Sequence, residues 1–202
     1  MALVTDKSAI RDGILAARRA LPPAVRQAAD VALRRGVAEL LAATRRAGLP
    51  AVAGARRTVA GYAPTRDEPG GRELMEVFRS AGDRVLFPVL RSDLDLEWAE
   101  YTGPGGLQRA RWRLIEPDGP RLGLAAVAAS SIVVVPAMAV DRSGTRLGRG
   151  GGSYDRALHR VPDRTPVVAL LYDGELVDRL PTEPHDRRVT AVLTPTGGLC
   201  RL

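Results

Sequence analysis

The stretch best equipped for chemistry runs from Ile132 to Arg160, IVVVPAMAVDRSGTRLGRGGGSYDRALHR. Gly144, Gly148, Gly150, Gly151 and Gly152 fall within nine residues of it. A backbone so rich in glycine can turn several N–H groups toward one point and let an anion approach closely. Arg146 and Arg149 lie inside the loop, and a guanidinium is a planar fork matched to phosphate oxygens. An apolar run precedes the loop. A helical pattern with Tyr154 and Asp155 in its first turn follows, and a helix start adds unpaired N–H donors. The loop reads either as a phosphate cradle or as a tight strand-to-helix connection, and spacing alone leaves both open. The segment is neither GxxxxGK[ST] nor a clean GxGxxG, so the two commonest nucleotide fingerprints are absent.

Other residues invite the same double reading. Lys7 is the single lysine among 30 basic residues. Its ammonium can reach a phosphate as a point charge, or it is a solvated first-turn lysine. Arg11 follows one turn later on the same helix face. Asp155 is a candidate magnesium carboxylate or a helix-capping aspartate. Glu68 follows the segment GYAP and can accept two N–H bonds from an amino-pyrimidine edge, or serve as a surface loop acid. Trp98 and Trp112 offer flat faces for ligand stacking or for core packing. His159 and His185 show no metal-ligand spacing.

The string VVPAMAVDRSGTRLGRGGGSYDR resembles the signature of the 5-formyltetrahydrofolate cyclo-ligase (methenyltetrahydrofolate synthetase) family. The family pattern has a tyrosine where Ser153 stands. Lys7 and Arg11 resemble its N-terminal K-x-x-x-R. Glu68 after GYAP, the segment FPVL at Phe87 to Leu90, the pair Glu116–Pro117 and the pair His185–Asp186 fit in order and spacing. The resemblance implies an ATP- and magnesium-dependent enzyme that turns 5-formyltetrahydrofolate into 5,10-methenyltetrahydrofolate. It places ATP on Lys7, Arg11, Arg146 and the loop Leu147, Gly148, Arg149, Gly150, Gly151, Gly152, Ser153 and Tyr154. It places the folate on Glu68, Trp112, Arg149 and the same run Gly150, Gly151, Gly152 and Ser153, with Lys7 and Arg149 carrying the catalysis. Asp155 is the implied magnesium ligand. A second family carboxylate corresponds to Thr190, which is no carboxylate, so Asp186 is the candidate substitute. A family paralogue acting with ATP on another substrate stays open because Ser153 and Thr190 depart from the pattern.

These residues need elements to position them. Asp6 to Leu21 reads as a helix capped by Thr5 or Asp6, with Ile10, Ile14 and Leu21 on one face. Pro22–Pro23 ends it. Ala24 to Arg46 reads as a second helix with Val37, Leu40 and Leu41 inward. Strands are expected at 58–63, 84–90, 96–101, 131–140, 166–172 and 189–193, and helices at 71–81 and 153–160. Near-continuous apolar strands alternating with helices predict an α/β fold, a mainly parallel open sheet with helices on both faces in three layers, α/β/α. In such sheets ligands bind beyond the carboxyl ends of the strands, where the glycine loop should lie.

Length and composition bound the rest. The 202 residues fit one domain, and 45% hydrophobic content is enough for a sizeable core. The net charge of +7 suits anionic ligands such as ATP and a folate. A basic nucleic-acid-binding module is disfavoured, because the charges are dispersed and no binding motif occurs. Cys200 is the only cysteine, which suits a reducing cytoplasm. The N-terminal residues have no apolar signal core, and the longest apolar run is too short to span a bilayer. The expectation is a cytoplasmic monomer whose partners are small molecules.

Overall fold

The structure, a computed structural model, describes residues 6–48, 57–81, 83–183 and 186–202. The chain opens with two helices, α1 (Lys7–Ala20) and α2 (Pro23–Arg46). Asp6 caps α1 by accepting the Ser8 N–H at 2.7 Å, and Pro23 occupies the first turn of α2, where a missing N–H costs nothing. Then come β1 (Thr58–Ala60), α3 (Leu74–Ser80), β2 (Arg84–Leu90) and β3 (Leu96–Glu100). A short hairpin of β4 (Leu107–Arg109) and β5 (Ile115–Pro117) follows, then β6 (Ser130–Pro136), β7 (Ala139–Asp141) and β8 (Arg146–Leu147). The rest is α4 (Ser153–Leu158), β9 (Val167–Leu170), β10 (Leu176–Val177), β11 (Ala191–Thr194) and β12 (Gly198–Arg201).

Seven strands form the main sheet in the order β12-β11-β9-β6-β1-β2-β3. The five inner strands are parallel, and each edge strand is antiparallel to its neighbour. Alternation along the strands sends side chains to two cores. On one face Val59, Ile132, Val134, Val168 and Leu170 pack against Leu33, Val37 and Leu41 of α2 and Phe78 of α3. On the other, Ala60, Val133, Val135 and Ala169 meet Ala157 and Leu158 of α4 and Val127 of a 3-10 turn. The three-layer α/β/α expectation is met, with the thinner layer on the α4 side.

Four elements differ most from the sequence reading. The apolar run 131–140 is not one strand. It leaves the main sheet after Pro136, and Ala139 to Asp141 pairs with β8 and β10 in a separate three-stranded sheet. Pro136 cannot donate a ladder hydrogen bond, so it suits the last position of a strand. The first strand stops at Ala60 rather than 63, and α3 begins at Leu74 rather than 71, after Gly70 and Gly71 at φ of +100° and +65°. Finally, α4 ends at Leu158 rather than 160, which leaves it six residues long. The small sheet has its own purpose. Met138, Ala139 and Leu147 pack with Ile10, Ile14 and Leu15, so α1 lies on this sheet instead of on the main one.

Candidate functional site

The main sheet reverses its winding direction between β1 and β6. From β1 the chain proceeds to β2 and β3 on one side, and from β6 to β9 and β11 on the other. The backbones leaving the two central strands therefore diverge and open a crevice. A cleft of about 2240 Å³ lies there, with Tyr62 after β1 and Ala137 and Met138 after β6 on its floor. Ordinary ligand pockets hold roughly 300–1,000 Å³, so two ligands can sit side by side.

Lys7, Arg11, Glu68, Trp112, Arg146, Asp155 and Asp186 all line this cleft, as does the run from Leu147 to Tyr154. The residues that the resemblance assigns to ATP, folate and magnesium thus line one cleft. The glycine loop, however, does not follow a main-sheet strand directly. It follows the β7–β8 hairpin, which carries it back across the carboxyl ends of the sheet.

The loop is held from three directions. Arg11 donates from Nε to the Gly148 carbonyl at 2.8 Å. Its guanidinium lies against Gly150, where a Cβ would sit 3.4 Å from Cζ and where φ is +100°. The positive φ is what favours glycine there, since the approach to Arg11 is ordinary contact. Arg156 donates to the Gly151 carbonyl at 2.9 Å and to Leu94 in the β2–β3 turn at 2.6 Å. Arg146 is almost wholly buried, donates to Asp155 Oδ1 at 2.9 Å and lies 5.6 Å from the Tyr154 ring centre. Its Nε has no hydrogen-bond partner. Ser153 is the first residue of α4 and not its cap. Gly152, at φ +65°, takes the cap position, so Asp155 does not cap the helix either.

Across the cleft, Arg149 bridges to the other wall. Its Nε donates to Glu68 Oε1 at 3.2 Å and its terminal nitrogen to Thr65 Oγ1 at 2.9 Å. Glu68 is mostly buried, and its second oxygen accepts the Thr65 N–H at 2.8 Å. Lys7 pairs with Asp186 at 3.0 Å and Glu183 at 3.1 Å. Burial pulls its pKa down, but those two hydrogen bonds outweigh burial, and the ammonium ends above its ordinary value. It is therefore fully charged at neutral pH. Burial pushes the Tyr154 phenol far up, so it stays protonated and cannot act as a base.

The two tryptophans separate cleanly. Trp98 is 1% exposed and packs in the core, whereas Trp112 is 62% exposed beside the cleft. Trp112 sits on the β4–β5 hairpin at φ +54°. Glu116 of β5 is buried, accepts the Leu90 N–H at 2.9 Å and lines the same cleft. It fixes the hairpin to β2. Thr190 lies elsewhere: its hydroxyl caps the start of β9 through Val167, at the amino end of the sheet. His185 falls outside the described residues.

Sequence reasoning missed Thr65, Arg156 and, above all, Arg18. Arg18 is 1% exposed and grips both Glu175 oxygens at 2.7 and 2.8 Å. Its only sequence signal is its place on the α1 face shared by Lys7 and Arg11. Asp155 and Asp186 both have basic partners, and among the described residues no group of three or more acidic, histidine or cysteine side chains is gathered for a metal. No helix among the described residues is long and apolar enough to cross a membrane.

The chain is similar to known proteins in sequence and in fold. Residues 4–195 match the model of the 5-formyltetrahydrofolate cyclo-ligase family. The chain is 41% identical over 202 residues to the 5-formyltetrahydrofolate cyclo-ligase of Mycolicibacterium smegmatis, covering 98% of this chain and 97% of that protein. It is 34% identical over 158 residues to the cyclo-ligase of Escherichia coli, covering 77% and 86%. In fold it is similar to the 5,10-methenyltetrahydrofolate synthetase of Aquifex aeolicus, with a TM-score of 0.77 at 24% identity over 97% of this chain and 92% of that one.

Proposed function

The chain belongs to the 5-formyltetrahydrofolate cyclo-ligase family, and from that premise we propose that it converts 5-formyltetrahydrofolate to 5,10-methenyltetrahydrofolate at the expense of ATP. One observation carries the assignment of the cleft. Arg149, in the glycine loop, and Glu68, on the opposite wall, meet at 3.2 Å in a space large enough for two ligands. The loop side supplies cations and N–H donors for a triphosphate. The far side supplies a carboxylate for the amino-pyrimidine edge of a pterin and, at Trp112, a flat face for its rings.

The formyl oxygen attacks the γ-phosphorus in line, the bond to ADP breaks, and the formyl carbon then carries a phosphate leaving group. Nitrogen-10 attacks that carbon, closes the five-membered ring and gives up its proton, which leaves with the phosphate. The former formyl oxygen departs with inorganic phosphate. Catalysis of this kind is mostly positioning and charge neutralisation. Lys7 and Arg11 reach from α1, Arg146 from below and Arg149 from the loop, so four cations surround the transferring group. Arg149 must exchange Glu68 and Thr65 for phosphate oxygens as the substrates enter.

A magnesium ion fits this donor set as a companion of the triphosphate. Such ions keep water and phosphate ligands and need one or two carboxylates. Asp155, at 16% side-chain exposure beside the loop and with Oδ1 committed to Arg146, would offer Oδ2. Asp186 is the second candidate. The ion neutralises phosphate charge when bound.

The test is direct: incubate the protein with magnesium-ATP and 5-formyltetrahydrofolate, and measure methenyl product and ADP. Equimolar formation of both is expected. ATP turnover on a different acceptor, with no methenyl product, would identify a paralogue instead.

A further inference from the structure

We infer that Arg18 is the positioning residue that aligns the two walls of the cleft with each other. The proposal rests on the assignment of those walls to ATP and folate given above. Arg18 touches neither ligand space directly. Its guanidinium spends its donors on three separate segments: Glu175 before β10, the Ala137 carbonyl where β6 leaves the main sheet, at 2.6 Å, and the Asp67 carbonyl, at 3.1 Å. The Asp67 carbonyl belongs to the peptide that leads into Glu68. Ala137 is cleft floor. On its own helix, Arg18 shares one face with Lys7 and Arg11, at spacings of four and seven residues that return to the same side. One buried fork therefore sets the rotation of α1, which aims Arg11 at the loop and Lys7 into the cleft, and the height of the strip that carries Glu68.

The surroundings reinforce this. The Tyr172 ring lies 5.6 Å from the guanidinium, and Tyr172 also bonds through its hydroxyl to Asp30, which holds the Gly70 N–H at 2.8 Å. Arg26 of α2 donates to the Arg18 carbonyl. A buried ion pair is a poor way to gain stability, because desolvating both charges offsets most of their attraction. Its use here is geometric: a planar fork fixes two backbone carbonyls and one carboxylate at defined angles, which an apolar contact does not.

Arg18→Lys keeps a positive charge for Glu175 but cannot reproduce the fork. The variant should fold, with a melting temperature close to the parent. The KM for ATP and the KM for 5-formyltetrahydrofolate should both rise, each by roughly tenfold, the loss expected when one charge-assisted contact is misaligned. Amide hydrogen exchange of the free protein should speed up at residues 65–68 without any substrate present. If Arg18→Lys unfolds, the neutral pair Arg18→Met with Glu175→Gln takes its place with the same readouts. Unchanged KM values in a folded variant overturn the proposal, whether or not exchange at 65–68 changes. So does loss of folding in both variants, which would make the pair a stability element alone. Absence of turnover in the parent protein would defeat the assignment of the activity, whereas the exchange comparison would still decide whether Arg18 holds the Glu68 strip.

Discussion

Lys7 faces two acids before it faces any phosphate. That changes what its removal does. In Lys7→Ala the cation is lost, and Asp186 and Glu183 are left near the triphosphate without their ammonium. A lost charge-assisted bond costs roughly 1.5–3 kcal/mol, or about ten- to a hundredfold in rate at limiting ATP, and the nearby acids add repulsion. We expect kcat/KM for ATP to fall at least that far, with KM for the folate little changed. Wild-type kinetics at limiting ATP would show that Lys7 serves only to hold Glu183 and Asp186. Asp155→Asn tests the metal role in a similar way. The amide oxygen can still accept from Arg146, so the fold should persist while the magnesium concentration needed for half-maximal rate rises. An unchanged magnesium titration would reduce Asp155 to a partner of Arg146. Both residues were legible in the sequence because they sit in short, dense motifs. Arg18 was not, since it is one of 30 basic residues, all but one of them arginine, and only burial tells a core guanidinium from a solvated one.

At the scale of elements, the β4–β5 hairpin is the part of the cleft that the sequence concealed. Its strands have three residues each, too few for a period to emerge, and glycine and proline flank them. Its tip carries a tryptophan in a left-handed conformation where glycine would be at ease. A non-glycine residue there costs on the order of 1 kcal/mol or more. Trp112→Gly should therefore leave the melting temperature equal or slightly higher while raising the KM for 5-formyltetrahydrofolate about tenfold through lost stacking. A fall in melting temperature would mean that the indole packs on the protein and not on a ligand. The apolar run 131–140 misled for the opposite reason. Its residues are uniformly buried, so burial pattern gave no sign of the change of sheet, and Pro136 was the one mark of it.

The molecule as a whole is a sheet whose carboxyl end has been walled in by ties between distant segments. One such tie joins the turn after α4 to the β2–β3 turn, where Arg160 grips Asp95 at 2.9 and 2.6 Å. The Arg160 guanidinium holds the Asp95 carboxyl below its ordinary range, against the opposing effect of burial. The folded state thus binds fewer protons there than the unfolded chain does. Its contribution is complete above the ordinary aspartate pKa, about 4, and is lost as pH falls below it through the depressed folded value. In denaturant melts, Asp95→Asn should be less stable than the parent at pH 7, and the gap should close below about pH 4. A gap that stays constant with pH would assign the difference to packing. The alternating helices and apolar strands made this architecture readable from the start. The long-range ties did not, because pairs 65, 81 or 157 residues apart leave no local pattern.

The contrast between the two tryptophans also makes the protein its own optical probe. Trp98, at 1% exposure, should emit at short wavelength and resist iodide or acrylamide, while Trp112, at 62%, should supply a red-edge emission open to both quenchers. Any ligand that covers the hairpin side of the cleft should dim or blue-shift only that red component, so titrating folate and nucleotide in turn tests, without a label, the proposal that the folate lies against Trp112. Trp112→Phe should abolish the signal and leave a spectrum belonging to Trp98 alone. A ligand-dependent change that survives in Trp112→Phe would place the responding chromophore in the core and remove Trp112 from the cleft's working surface.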